Sequence, residues 1–204
     1  MALLHRAEMR PTKLDLLAAW LPTQSWCDAP AGTGVERVAA YRFDDPANAV
    51  GIETILVRAG DGVLYQAPLT YRGAPLAGGE QWLVGTAEHS VLGRRWIFDG
   101  CGDPVYRAAL AGALAGEVPQ ADEYIEVDGE LIMRERSMTL TSAPARDSGQ
   151  AGEGATYLTR VADDPVELIL VRRPGAVPAL PGTALLGSWN GQETPLALAY
   201  AGPR

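Results

Sequence analysis

Residues 50–71 read VGIETILVRAGDGVLYQAPLTY, and this stretch predicts a β-hairpin around which the rest of the fold is arranged. Apolar and polar positions alternate along Val50–Arg58, as they do in a half-buried strand. Residues Ala59–Gly62 contain Asp-Gly, the strongest short-range signal for a tight turn between two strands. Val63–Tyr71 is then the partner strand, and Pro68 within it favours a sheet edge or a bulge over a central ladder position.

The segments on either side of this hairpin predict further strands. Val35–Phe43 precedes it, and Gln81–Thr86 and Arg95–Phe98 follow it, which gives a meander of about five antiparallel strands. We therefore expect one curled antiparallel sheet in this part of the chain.

Two helices are predicted from their end signals. Thr12 is a suitable N-cap for a leucine-rich apolar stripe that Pro22 ends. Asp103 is a suitable N-cap for a second helix, with Pro104 at its first position, where a missing N–H costs nothing.

The later part of the chain predicts a smaller β unit. Tyr124–Met133 has strand character, and Ala143–Gly154 is rich in small and polar residues, as linkers are. Further strands are predicted at Ala155–Val161, Val166–Arg172, Ala184–Trp189 and Pro195–Tyr200. The fold class predicted is α+β: helices packed on a curled antiparallel sheet in residues 1–142, then a β unit in residues 155–204.

The amino-acid composition argues against some classes of binding partner. The net charge of −8 disfavours binding to nucleic acid and to anionic membrane surfaces. Residues Met1–Arg10 include basic residues, but no apolar core of a signal peptide follows them, and no apolar run is long enough to span a membrane. Cys27 and Cys101 fit two reduced thiols. We expect a cytoplasmic protein.

The residues of the types that most often act in catalysis or metal binding are better explained here by structural roles. His89 precedes Ser90, but neighbouring strand residues point to opposite faces, so the pair does not form a nucleophile and base. Asp99, Cys101 and Asp103 converge as metal ligands only in an extended chain, and Asp103 is better explained as a helix cap. We expect no catalytic residue, no metal site and no cofactor.

Two further patterns are open to a catalytic interpretation. Paired carboxylates can hydrolyse glycosides, although an acidic run along a strand is usually a solvated face. The run comprises Asp122, Glu123, Glu126, Asp128 and Glu130. Gly149–Gly154 has the glycines of a phosphate loop but not its Lys-Ser/Thr end.

Three motifs resemble the N-terminal cap domain of maltokinases of actinobacterial type and of related aminoglycoside-phosphotransferase-like sugar kinases. They are Leu21–Trp26 (LPTQSW), Tyr65–Leu69 (YQAPL) and Phe98–Pro104 (FDGCGDP), and the resemblance covers roughly residues 10–135. It implies a cystatin-like cap followed, in residues 155–204, by a reduced version of the intermediate lobe, which resembles a kinase N-lobe. Gly152–Tyr157 stands where the family has its nucleotide-covering loop.

The sequence departs from a complete kinase of this family. Leu168–Arg173 stands where the family has a strand with an ATP-contacting lysine, but Lys13 is the only lysine in the sequence. The 204 residues also contain no His-Gly-Asp-type catalytic loop, which phosphoryl transfer requires. The resemblance therefore implies a non-catalytic accessory or interaction protein, whose partner is a sugar kinase or another protein of α-glucan, trehalose or maltose metabolism.

An enzyme or a binding module acting on a sugar or sugar phosphate is the alternative. Tryptophan rings stack on sugars, and the chain has five tryptophans, of which Trp20 and Trp26 are expected in the core. The candidate ligand-binding residues are Trp82, His89, Trp96 and Asp99.

Overall fold

The computed structural model describes residues 2–4, 8–60, 62–127, 130–145, 155–162, 166–177 and 179–203. Some features predicted from the sequence lie outside these ranges: Asp61 of the hairpin turn, Asp128 of the acidic run, residues 146–154 of the linker, and with them the whole of Gly149–Gly154.

Two helices and fourteen strands make up the described part of the chain, together with short 3-10 turns. In chain order they are β1 (Ala2–Leu4), β2 (Met9–Arg10), α1 (Lys13–Trp20), β3 (Val35–Phe43), β4 (Gly51–Ala59), β5 (Val63–Arg72), β6 (Leu83–His89), β7 (Gly93–Asp99), α2 (Pro104–Ala115), β8 (Glu123–Val127), β9 (Glu130–Met133), β10 (Met138–Pro144), β11 (Leu158–Ala162), β12 (Val166–Val171), β13 (Thr183–Trp189) and β14 (Gln192–Pro203). The fold is α+β with the antiparallel sheet dominant, which confirms the class predicted from the sequence.

A six-stranded antiparallel sheet forms the centre, in the order β2-β6-β7-β5-β4-β3. The predicted hairpin lies inside this sheet, with β4 and β5 paired from Gly51 opposite Tyr71 to Ala59 opposite Val63. Pro68 precedes the point at which β5 begins to pair with β7, at Leu69. The N–H of Gln66 points away from β4, to the carbonyl of Arg172, so the proline two residues later removes no bond from the β4 ladder.

Helix α1 covers one face of the central sheet. Thr12 and Asp15 form a capping box in which each side chain accepts a bond from the backbone N–H of the other. Leu16, Leu17 and Trp20 of the helix are buried against apolar side chains of the sheet.

Helix α2 and a second sheet cover the opposite face. Helix α2 begins at the predicted Asp103 cap and ends at Gly116, whose φ of 78° suits glycine. Leu110 and Leu114 of this helix share a core with Tyr41 and Leu56 of the central sheet. The second sheet adds to that core and is antiparallel throughout, in the order β10-β13-β14-β12-β11.

Because both faces are covered, β4 is not the half-buried strand that its alternation predicts. Every residue from Ile52 to Val57 is buried, including Glu53 and Thr54. The prediction was wrong for this part of β4 because Glu53 and Thr54 are covered by protein instead of water.

Several element boundaries also differ from those predicted. Tyr124–Met133 is not one strand but the hairpin of β8 and β9, and β8 pairs in parallel with β1. Residues Glu80–Trp82 and Ala155–Tyr157 form 3-10 turns before β6 and β11. Residues 143 and 144, predicted as the start of the linker, end strand β10 and pair with β13.

No helix within the described ranges has both the length and the apolar character needed to cross a membrane.

Candidate functional site

A groove with a volume of about 870 Å³ lies beside the start of α1. The segment Glu8–Asp15 forms one wall, and three distant parts of the chain complete it. These parts supply Arg37 from β3, Glu53 and Ile55 from β4, and Glu123 and Arg134 from the third sheet, which has the strand order β1-β8-β9 and in which Glu123 begins β8 and Arg134 directly follows β9. The groove is thus assembled from residues that the sequence keeps far apart.

Glu53 is the buried charge of this groove. Its Oε2 accepts hydrogen bonds from Lys13 Nζ at 2.5 Å and from Tyr71 Oη at 2.9 Å, and Arg42 Nη1 lies 3.4 Å away. Burial by itself raises the pKa of this carboxyl, but the charges of Lys13 and Arg42 and the two hydrogen bonds outweigh burial and lower the pKa to about 2. Glu53 is therefore a carboxylate at every physiological pH.

Charges of both signs line the rim of the groove. Arg10 pairs with Glu8 at 2.9 Å, Arg134 lies 3.5 Å from Glu123, and Arg37 is exposed. Mixed donors and acceptors of this kind can bind a polyhydroxyl or zwitterionic molecule. Glu53, with its lowered pKa, is a poor proton donor, so it suits binding rather than acid catalysis.

A second buried charge cluster joins the central sheet to the second sheet. Asp99 ends β7, and its Oδ2 accepts a hydrogen bond from Arg172 Nη2 at 2.5 Å. The guanidinium also stacks on the indole of Trp26, with Cζ 4.6 Å from the ring centroid. Both charged groups are almost fully buried, so the pair is internal to the fold.

Asp103 is the centre of a third cluster. Its carboxylate accepts from the backbone N–H of Val105, which confirms the predicted N-cap. It also accepts from Thr70 Oγ1 at 2.8 Å and, in bidentate fashion, from Arg72 at 2.6 and 2.7 Å. Burial tends to raise the pKa of Asp103, but the bonds from Arg72, Thr70 and Val105 lower it below its ordinary value.

Of the carboxylates in these clusters, Glu53 lies between the first and second sequence motifs, and Asp99 and Asp103 lie in the third. Residues 20–103 match the family model of the maltokinase N-terminal cap domain. The match confirms the resemblance for these residues, a shorter range than the one predicted. No curated protein matches the chain.

The matched cap domain contains β3 to β7, together with Glu53 and Asp99, and ends at Asp103. Helix α2 and the strands of the second sheet follow it. The first two motifs lie wholly inside the cap domain, and the third does so except for Pro104.

The candidate ligand-binding residues all lie within the matched range, but none of them lines the groove beside α1. Trp82 is half-buried and its indole lies against Gly102, while Trp96 stands opposite Arg72 in β7. His89 is at the far end of β6, where its Nδ1 accepts from the backbone N–H of Leu92. His89 pairs with Gly93 at the start of β7, whereas Asp99 ends that strand, six residues or about 20 Å away. His89 and Asp99 therefore do not meet.

The sequence interpretation missed Glu53, Gln66 and Arg172, the buried polar residues that organise this region. Gln66 donates from Nε2 to the carbonyls of Val171 and Leu198, and accepts from the Tyr41 hydroxyl at 3.3 Å. The available signal was a polar residue within or directly after a mainly apolar strand. Alternation explains such a residue equally well as solvent-facing, which is why it was not recognised.

Proposed function

We propose that this chain is a non-catalytic accessory or interaction protein related to the maltokinase N-terminal cap. In this proposal it acts in the cytoplasm beside a sugar kinase or another protein of α-glucan, trehalose or maltose metabolism. The match of residues 20–103 supports the relation to the cap. We also propose that the cap is cystatin-like and that the second sheet corresponds to a reduced kinase intermediate lobe.

The observation that carries the proposal is that the buried carboxylates form ion pairs within the fold. Glu53, Asp99 and Asp103 are each ion-paired with a lysine or arginine of the same chain. A catalytic acid or base must reach the proton that it transfers, and a magnesium ligand must reach the ion. These carboxylates instead hold strands and helix α2 together.

Strand β12 gives a second argument. The resemblance places an ATP-contacting lysine in this region, and Arg172 directly follows the strand. Its guanidinium is fully buried, bonded to Asp99 and Thr159, and stacked on Trp26. The cation at this position therefore stabilises the contact between the central sheet and the second sheet.

Calorimetric titration with Mg-ATP tests the proposal together with an assay for maltose phosphorylation. We expect no binding of Mg-ATP with a dissociation constant below about 100 μM. Such a constant would correspond to a binding free energy of over about 5 kcal/mol. We expect no phosphorylated sugar, but direct binding to a purified maltokinase that lacks bound substrate. Phosphate transfer by the chain alone would refute the non-catalytic role.

A module that binds a sugar or sugar phosphate is the second candidate, and the groove beside α1 favours it. Its carboxylates and arginines offer both acceptors and donors to hydroxyl groups. Titration with maltose, trehalose and glucose 1-phosphate tests this function. Binding that Arg37→Ala weakens, while Arg160→Ala in the second sheet leaves it unchanged, would support the groove as the site.

A further inference from the structure

Strand β9 is the edge of the three-stranded sheet, whose order is β1-β8-β9. Its side chains Leu131, Ile132 and Met133 are 50%, 45% and 60% exposed. Consecutive strand residues point to opposite faces, so large apolar groups are exposed on both faces of one edge. Monomeric proteins usually protect such an edge with charge, proline or a covering segment.

The backbone of β9 also offers hydrogen bonds outwards. The N–H of Arg134 donates to the carbonyl of Glu123 at 2.8 Å, so the even-numbered residues of this stretch bond towards β8. In an antiparallel pair the bonding direction alternates with each residue. Leu131 and Met133 therefore direct their N–H and C=O groups away from the sheet, where a further strand can pair with them.

We propose that two copies of this chain form a dimer by antiparallel pairing of their β9 strands, with Ile132 on the two-fold axis. In this register Leu131 stands opposite Met133 of the second copy, and each such pair exchanges two backbone hydrogen bonds. The two Ile132 side chains meet between these pairs, and the two three-stranded sheets become one sheet of six strands.

Charge complementarity selects the second copy as the occupant of this edge. The segment from Glu130 to Arg134 has an acid at its start, apolar residues in its middle and a base at its end. Antiparallel pairing about Ile132 places Glu130 of each copy opposite Arg134 of the other. Parallel pairing in register would place like charges together, which destabilises a sheet. An isologous interface requires this self-complementarity.

The dimer also reaches the groove described above. Arg134 lines that groove together with Glu123. Glu130 of the second copy would approach this arginine from outside, so the dimer would add a carboxylate beside the wall of the groove.

Engineered cysteines test the register. The axis places two Ile132 residues in a pair without backbone bonds, with Cα atoms about 4.5 Å apart, within the span of a disulfide. Two Leu131 residues are diagonal neighbours, about 7–8 Å apart, which a disulfide does not bridge without backbone movement. We expect Ile132→Cys to form a covalent dimer on mild oxidation, and Leu131→Cys and the wild type, with its Cys27 and Cys101, to stay uncrosslinked.

Light scattering and sedimentation equilibrium test the dimer itself, with circular dichroism to show that each variant folds. The wild type should have twice the 21.6 kDa mass of the chain. Glu130→Arg should raise the dissociation constant roughly tenfold or more, and combining it with Arg134→Glu should restore the dimer to within about threefold. A wild-type chain that stays monomeric up to about 1 mM, or equal crosslinking of the two cysteine variants, would overturn the proposal.

Discussion

Replacing Glu53 by glutamine should make the stability of this protein less sensitive to acid. The change keeps the size of the side chain and removes its charge. In the wild type that charge is buried beside Lys13 Nζ at 2.5 Å and Arg42 Nη1 at 3.4 Å. In the variant these two cations lose their carboxylate, and Tyr71 keeps only an amide oxygen as acceptor.

The magnitude follows from the pKa of Glu53, which the fold lowers from 4.5 to about 2. Each unit of pKa difference corresponds to about 1.4 kcal/mol, so the charged form stabilises the folded state by about 3 kcal/mol. Since the folded pKa is below the unfolded one, this stabilisation is fully present above pH 4.5. It is lost as the pH falls from 4.5 to about 2, where the folded state also binds the proton.

Urea unfolding between pH 7 and pH 3 measures this effect. At pH 7 Glu53→Gln should be about 3 kcal/mol less stable than the wild type, and the difference should shrink as the pH falls below 4.5. Glu88→Gln is the matched control, because Glu88 pairs with Arg94 at the exposed surface, where such pairs contribute little. A constant difference between Glu53→Gln and the wild type at every pH would refute the reasoning.

Three further substitutions test the buried clusters, each by its unfolding midpoint in urea. Asp103→Ala should lower the free energy of unfolding by about 3 kcal/mol, more than the loss of a helix cap alone, because its arginine partner is also left unpaired. Asp103→Asn should lower it by less, and equal losses for the two variants would contradict this. Asp99→Ala should cost about 3–5 kcal/mol by leaving a buried guanidinium without its carboxylate; a loss below about 1 kcal/mol would contradict it. Gly102→Ala should destabilise by more than about 1 kcal/mol, since its new Cβ would lie 2.0 Å from Cγ of Trp82, while Gly34→Ala, with open space around it, serves as control.

The local features of the fold were predictable because short sequence signals determine them. The Asp-Gly turn and the two flanking apolar runs identify the β4–β5 hairpin, and β3 was predicted with its observed bounds, Val35–Phe43. Thr12 and Asp103 identify the helix starts, because a side-chain acceptor before a helix satisfies N–H groups that the helix itself leaves unpaired.

The groove was not predictable in the same way. It joins Arg37, Glu53 and Arg134, whose proximity depends on how the central sheet and the third sheet are placed against one another. The burial of Glu53 has the same origin, since alternation along β4 cannot show that both faces of the strand are covered. Long-range packing therefore decides which polar residues are structural and which remain available to a ligand.

The buried polar groups of the cap domain depend on residues outside the matched range. Gln66 donates its backbone N–H to Arg172 and its side-chain amide to Val171 and Leu198, all in or beside the second sheet. Asp99 has Arg172 as its ion-pair partner. Without the second sheet, Gln66 and Asp99 would lose these partners, and the apolar core that the two sheets share would be exposed to water. The second sheet therefore completes the hydrogen bonding of the cap, and the two are best regarded as one structural unit.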